Sequence, residues 1–189
     1  METIRLYALQ HHPVPEILRR DGVCFSKPEY VSKKYDESAK LFLHNYSWFV
    51  SEAKKLVPLP EGAAFPYWTF CDAYNLERGS DPSCFLTLDV PKDQAVFFDA
   101  ADWTRIMRLE PLGEPASVKA YKEELSARGI NAAKAALTPY YPDLHERLLK
   151  SWTLLFRHHD KVVSGDLSCC TGGVQAGLWC LKWDWLVRE

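Results

Sequence analysis

Long hydrophobic runs are missing from this sequence. No stretch approaches the ~20 apolar residues of a membrane-crossing helix, and Met1-Glu2-Thr3-Ile4-Arg5 opens without the apolar core of a signal peptide. A cytoplasmic protein with no membrane partner is the expectation. Paired cysteine spacing is missing too: Cys24, Cys71, Cys84, Cys169, Cys170 and Cys180 contain no C-x-x-C, so a disulfide framework is not expected and the thiols read as mostly reduced and buried. Positive charge is not in excess. With 23 basic against 25 acidic residues and no basic stripe, non-specific nucleic-acid binding is disfavoured. There is no P-loop, no G-x-G-x-x-G, no G-x-S-x-G and no H-E-x-x-H, which removes the common catalytic signatures. Finally, no linker rich in Ser, Gly or charge, no repeat and no low-complexity tract divides residues 1–189. One domain is the simplest reading, and a chain of this length can bury roughly 70% of its unfolded surface.

What the chain does have is aromatic side chains: 13% of residues, including seven Trp, within an otherwise ordinary 47% hydrophobic and 25% charged composition. Aromatic-rich packing, or an aromatic-lined site, follows. Ile4 to Leu9 alternates like a strand. Pro13 and Pro15 open a short helix through Ile17 and Leu18, which Gly22 can close in a left-handed conformation. From Ser32 to Val57, apolar positions Tyr35, Ala39, Phe42, Tyr46, Phe49, Ala53 and Leu56 recur in steps of four and three, predicting a long helix with Ser32 as N-cap and Pro58 as stop. Burial in a core is the ordinary purpose of such a stripe.

Phe65-Pro66-Tyr67-Trp68-Thr69-Phe70 suits either the start of a strand or the wall of a pocket. After the turn-like Gly79-Ser80-Asp81-Pro82, Phe85 to Val90 and Ala95 to Phe98 read as two strands joined across Pro91-Lys92-Asp93, expected to form a hairpin. A helix from Pro115 to Arg128 with Gly129 behind it is expected next. Another begins at Pro142, with Leu144, Leu148, Leu149, Trp152 and Leu155 on one side. Beyond the loop Ser164 to Gly173, the spacing of Val174, Leu178, Leu181 and Trp185 predicts a last helix. The fold class is therefore α+β, with a small mixed or antiparallel sheet, a long helix and a helical C-terminal half.

His158-His159 and Cys169-Cys170 offer zinc's preferred ligand types. Neighbouring residues, however, point about 100° apart on a helix and to opposite faces on a strand, so one pair rarely supplies two ligands, and no metal is expected. A nucleophilic Cys with a His base can be assembled from several combinations, none singled out locally. Gly172-Gly173 before the expected last helix can expose amides to an anion, or can simply be a flexible entry.

Four stretches together resemble a bacterial family catalogued as domain of unknown function 3841: Leu6-Tyr7-Ala8-Leu9-Gln10 with Gly22, Phe65 to Phe70, Leu88 to Trp103, and Ser151-Trp152 to Phe156 with Val174-Gln175-Ala176 and Trp179. The resemblance spans nearly the whole chain and implies an aromatic pair at Tyr67-Trp68, an Asp-rich segment from Asp99 to Trp103 and a Gln at Gln175. A more distant resemblance is to the ADP-ribosyltransferase fold, whose small members open on L-Y-H-x-T, a short helix and a glycine. Leu6-Tyr7, Glu16 to Arg20 and Gly22 are similar to that opening, and Phe85 to Pro91 to a later strand. Ala8 stands where the nicotinamide-site His or Arg is expected, and no late strand with a catalytic Glu is identified. What the resemblance implies is a domain binding NAD or another nucleotide in a cleft lined by Tyr7, Gln10 and Trp68, with Asp99, Trp103 and Gln175 as further ligand contacts. Tyr7 and Trp68 offer flat faces for stacking, and Gln10 an amide that both donates and accepts. Core packing accounts for the aromatics equally simply. The alternative is a non-enzymatic interaction domain whose aromatics bind a protein partner.

Overall fold

The computed structural model describes residues 2–27, 29, 38–76 and 83–187. The expected N-cap Ser32, Tyr35 on the helical stripe and the Gly79 to Pro82 turn lie outside these residues.

Strand β1, Thr3–His11, buries Leu6 and Ala8 completely and leaves its other face half-buried or exposed. Helix α1, Pro13–Asp21, begins with proline in its first turn, where the missing N–H would have no helical partner. It closes at Gly22, whose φ of 77° lets its N–H reach the Leu18 carbonyl at 2.9 Å. Helix α2, Ala39–Ala53, buries Tyr46, Phe49 and Ala53 as the stripe predicts. It stops short of Pro58, unwinding through Lys54 to Val57, whose N–H groups return to the last-turn carbonyls. Leu56 falls beyond the helix and is 42% exposed.

The remaining strands are β2 Val23–Cys24, β3 Tyr67–Phe70, β4 Ser83–Pro91, β5 Ala95–Asp99, β6 Val174–Leu178 and β7 Leu181–Lys182. Five of them form an antiparallel sheet in the order β4-β1-β3-β6-β5, and β2 pairs with β7. The helices that follow β5 are α3 Ala100–Met107, α4 Pro115–Ala127, α5 Ala132–Leu137, α6 Pro142–Trp152 and α7 His159–Val163. Among the described residues, no helix is long and apolar enough to cross a membrane.

Two expectations are corrected. The hairpin between β4 and β5 does not form; these strands are the two edges of the sheet. A flat sheet would hold those edges about 19 Å apart, four strand spacings. The link from Pro91 to Ala95 reaches at most about 14 Å, so the sheet curls over. Its weak seam is β1 against β3, registered only at Tyr7 opposite Phe70. Across the fold-over, Leu6, Ala8, Leu86, Leu88 and Val90 pack with Ala95, Phe97, Val174, Ala176 and Leu178 in one buried cluster. The inner face of β4 therefore meets β5 face to face instead of bonding beside it.

The last helix is also wrong. Val174–Leu178 is a strand between β3 and β5, buried at every position, and Trp183–Trp185 is a single 3-10 turn. A strand covered on both sides shows a continuous apolar run, which periodicity cannot tell from a buried helix. Thus the C-terminal half holds helices α3 to α7 but closes with strands β6 and β7 and a 3-10 turn. On the outer face of the β3-β6-β5 part, α2, α3 and α6 enclose a second cluster that includes Phe49, Trp103, Leu148 and Trp152.

Candidate functional site

Strand register assembles the site. Tyr7 lies opposite Phe70, Phe70 opposite Gln175, and Gln175 opposite Phe98. Directly opposed residues share a face, so these four side chains form a row across β1, β3, β6 and β5. At one end Phe98 is fully buried under Phe49 and Trp103. At the other, half-buried Tyr7 sits with its ring 5.8 Å from that of Phe85, which is 44% exposed. Trp68, two residues before Phe70, shares this face and forms its wall. Its ring centroid is 4.8 Å from Trp103, 5.0 Å from Phe49 and 5.3 Å from Tyr46.

Two polar groups stand in this aromatic setting, and one of them lacks a partner. The Trp68 indole Nε1 is buried with no hydrogen-bond acceptor among the described residues. Gln175, 6% exposed, brings an amide to the same face. Trp68 opposes Gly177, so Gln175 is its diagonal neighbour, about 7–8 Å away between backbones. Leaving the Trp68 N–H buried and unpaired costs roughly 1–3 kcal/mol. The arrangement therefore offers aromatic faces, an N–H donor and an amide that both donates and accepts, which suits a planar ligand with polar edges.

Of the six residues expected at a site, Tyr7, Trp68, Trp103 and Gln175 are gathered here. Gln10 is not. It lies three positions from Tyr7 on one strand, hence on the opposite face, paired with Cys84 at the rim of the inner core. Asp99 is 4% exposed and caps α3, accepting the Ala101 N–H at 2.8 Å on Oδ1 and the Gly172 N–H at 3.0 Å on Oδ2. Ala8, standing where a nicotinamide-site residue was expected, is fully buried in the inner cluster and lines no cleft. Phe70 was missed as a site residue; its two-residue offset from Trp68 on a strand was the available signal.

Of the zinc-like pairs, His158 Nδ1 is buried with no partner among the described residues, and the other members are engaged elsewhere. The backbone N–H of Phe97 donates to His159 Nδ1 at 3.1 Å, which holds this imidazole neutral with its proton on Nε2, and burial pushes its pKa down. Cys169 donates to the Asp166 carbonyl, and burial pushes the Cys170 thiol up to about 12. Among the described residues, no group of three His, Cys, Asp or Glu side chains is placed to hold a metal. Of the Cys and His combinations, Cys84 and His12 meet, Sγ to Nδ1 at 3.2 Å, on the exposed rim next to Gln10. Burial raises the Cys71 thiol to about 12, which makes it a poor nucleophile.

Residues 5–187 match the model of a family described as domain of unknown function (DUF3841). No curated protein and no solved structure matches the chain.

Proposed function

Because the chain belongs to the DUF3841 family, whose description names no activity, function has to be read from its own chemistry, and we propose that the Tyr7–Phe70–Gln175 row binds the planar ring of NAD or another nucleotide. The observation that carries this reading is the Gln175 amide, 6% exposed and set between in-register aromatic side chains, beside the buried and unpaired Trp68 N–H. A nicotinamide carboxamide or a base edge would satisfy that amide, while Tyr7 and Phe70 offer faces for stacking. The row holds an amide and a phenol but no carboxylate, so the proposal is binding, with turnover left out. The likeness of the first 22 residues to an ADP-ribosyltransferase opening agrees with the choice of nucleotide.

Thermal unfolding with NAD, AMP and nicotinamide tests it. A ligand that binds only the folded state at 100 times its Kd adds roughly 2.7 kcal/mol of stability. At least one of the three is expected to raise Tm, and Gln175→Leu to abolish the shift. Gln10→Ala, on the opposite face, should leave the shift intact. No shift at millimolar concentrations of any of the three, or an equal shift in the Gln175→Leu variant, overturns the assignment.

A further inference from the structure

A concavity of about 440 Å³ lies between α2 and the α5–α6 corner and is lined by Lys40, His44, Thr138, Pro142 and His145 among others. Lys40 and His44 are one turn apart on α2 and so share a face. His145 comes from α6, with its ring centroid 5.6 Å from that of His44. His145 Nδ1–H donates to the Ala136 carbonyl at 2.9 Å. That bond fixes the neutral tautomer, with the proton on Nδ1. His44 Nε2 is buried and has no partner among the described residues.

Every titratable side chain lining the groove is a base; no carboxylate lines it among the described residues. Asp143, on the same helix as His145, is engaged by Arg128 at 2.7 Å. Burial, then repulsion from His145 and Lys40, pushes the His44 pKa down. An anion in the groove would offset that repulsion on His44.

We propose that this groove binds a small oxyanion, a carboxylate or a phosphate-like group, held by Lys40 and His44 beside His145, and that binding is accompanied by proton uptake on His44. The inference does not depend on the nucleotide reading, because it concerns different residues. By linkage, a ligand that raises the His44 pKa binds more tightly as pH falls.

The test follows the imidazole NMR signals during titration with sodium sulfate, whose charge is constant between pH 5.5 and 7.5, at ionic strength held constant with chloride. Sodium acetate in a parallel titration distinguishes a carboxylate site from a phosphate-like one. The proposal expects saturable shifts of the His44 and His145 signals at pH 5.5 with one of the two anions, and affinity at least about tenfold weaker at pH 7.5. Lys40→Met, on the exposed side of α2 and safe for folding, should weaken binding at both pH values. His44→Gln should flatten the pH dependence, while Gln175→Leu should change nothing. Absence of saturable shifts with both anions at pH 5.5 overturns the proposal, as does undiminished binding in Lys40→Met.

Discussion

Gly172 has no room for a side chain. A Cβ there would stand 2.3 Å from Asp99 Oδ1 and 2.4 Å from Ala101 Cβ, contacts that real structures do not show. The Asp99 carboxylate cannot retreat without releasing the N–H groups it caps. Gly172→Ala is therefore expected to lower stability by about 1–3 kcal/mol, the range of overpacking a tight site, read as a fall in the urea midpoint. A midpoint equal to the parent's would show that the loop shifts freely. The same residues show what could be read beforehand. Asp99 follows an apolar run and precedes Ala-Ala-Asp-Trp, which is N-cap chemistry visible in the sequence, whereas its likeness to family positions pointed to a ligand. Tyr7 and Gln10 could have been separated by counting, since an odd offset on a strand divides faces. The pairing of Phe70 with Gln175 could not: it joins residues 105 apart on strands whose register is a tertiary matter.

At the scale of elements, α7 and β5 are joined by a titratable hydrogen bond. His159 is 8% exposed and accepts the Phe97 N–H only when neutral. Burial depresses its folded pKa below the ordinary value of about 6.5. The unfolded chain thus takes up a proton near pH 6.5 that the folded one refuses. This contribution to stability is complete above that pH and is lost as pH falls below it, at no more than about 1.4 kcal/mol per pH unit. Urea midpoints measured from pH 7.5 to 5.5 should fall less steeply in His159→Asn, whose amide oxygen can accept the same N–H, than in the parent. Equal slopes would count against the bond. Elements differed in how openly the sequence announced them. Helix α2 carried its burial in the spacing of Tyr46, Phe49 and Ala53, and α1 carried both its signals in Pro13 and Gly22. Strand β6 carried none, because burial on both faces erases alternation. At Gly177 an added Cβ would meet the Phe49 ring at 3.0 Å, a helix-to-strand approach that no local pattern encodes.

For the whole molecule, the decisive feature is the folding of the sheet upon itself, and only its ingredients were legible. Each strand of the β4 and β1 pair could be seen, yet their nine-residue ladder runs from Thr3 opposite Pro91 to His11 opposite Ser83, and nothing near either strand specifies it. The curl places one apolar cluster inside the fold and leaves the opposite face of β3-β6-β5 to the helices, where indoles from remote segments come together. Trp68 and Trp103 stand 4.8 Å apart with planes inclined by 36°, and Trp48 meets Trp152 at 5.2 Å, 77° from parallel. Rings so close and neither parallel nor independent share their electronic excitations, so the folded protein should carry a split circular-dichroism band of indole origin superposed on the peptide signal. Trp103→Phe keeps an aromatic ring in place but removes one oscillator of the closer pair. Its spectrum minus the parent's should show paired lobes of opposite sign that vanish from both proteins in urea, whereas a featureless difference would mean that the indoles absorb separately.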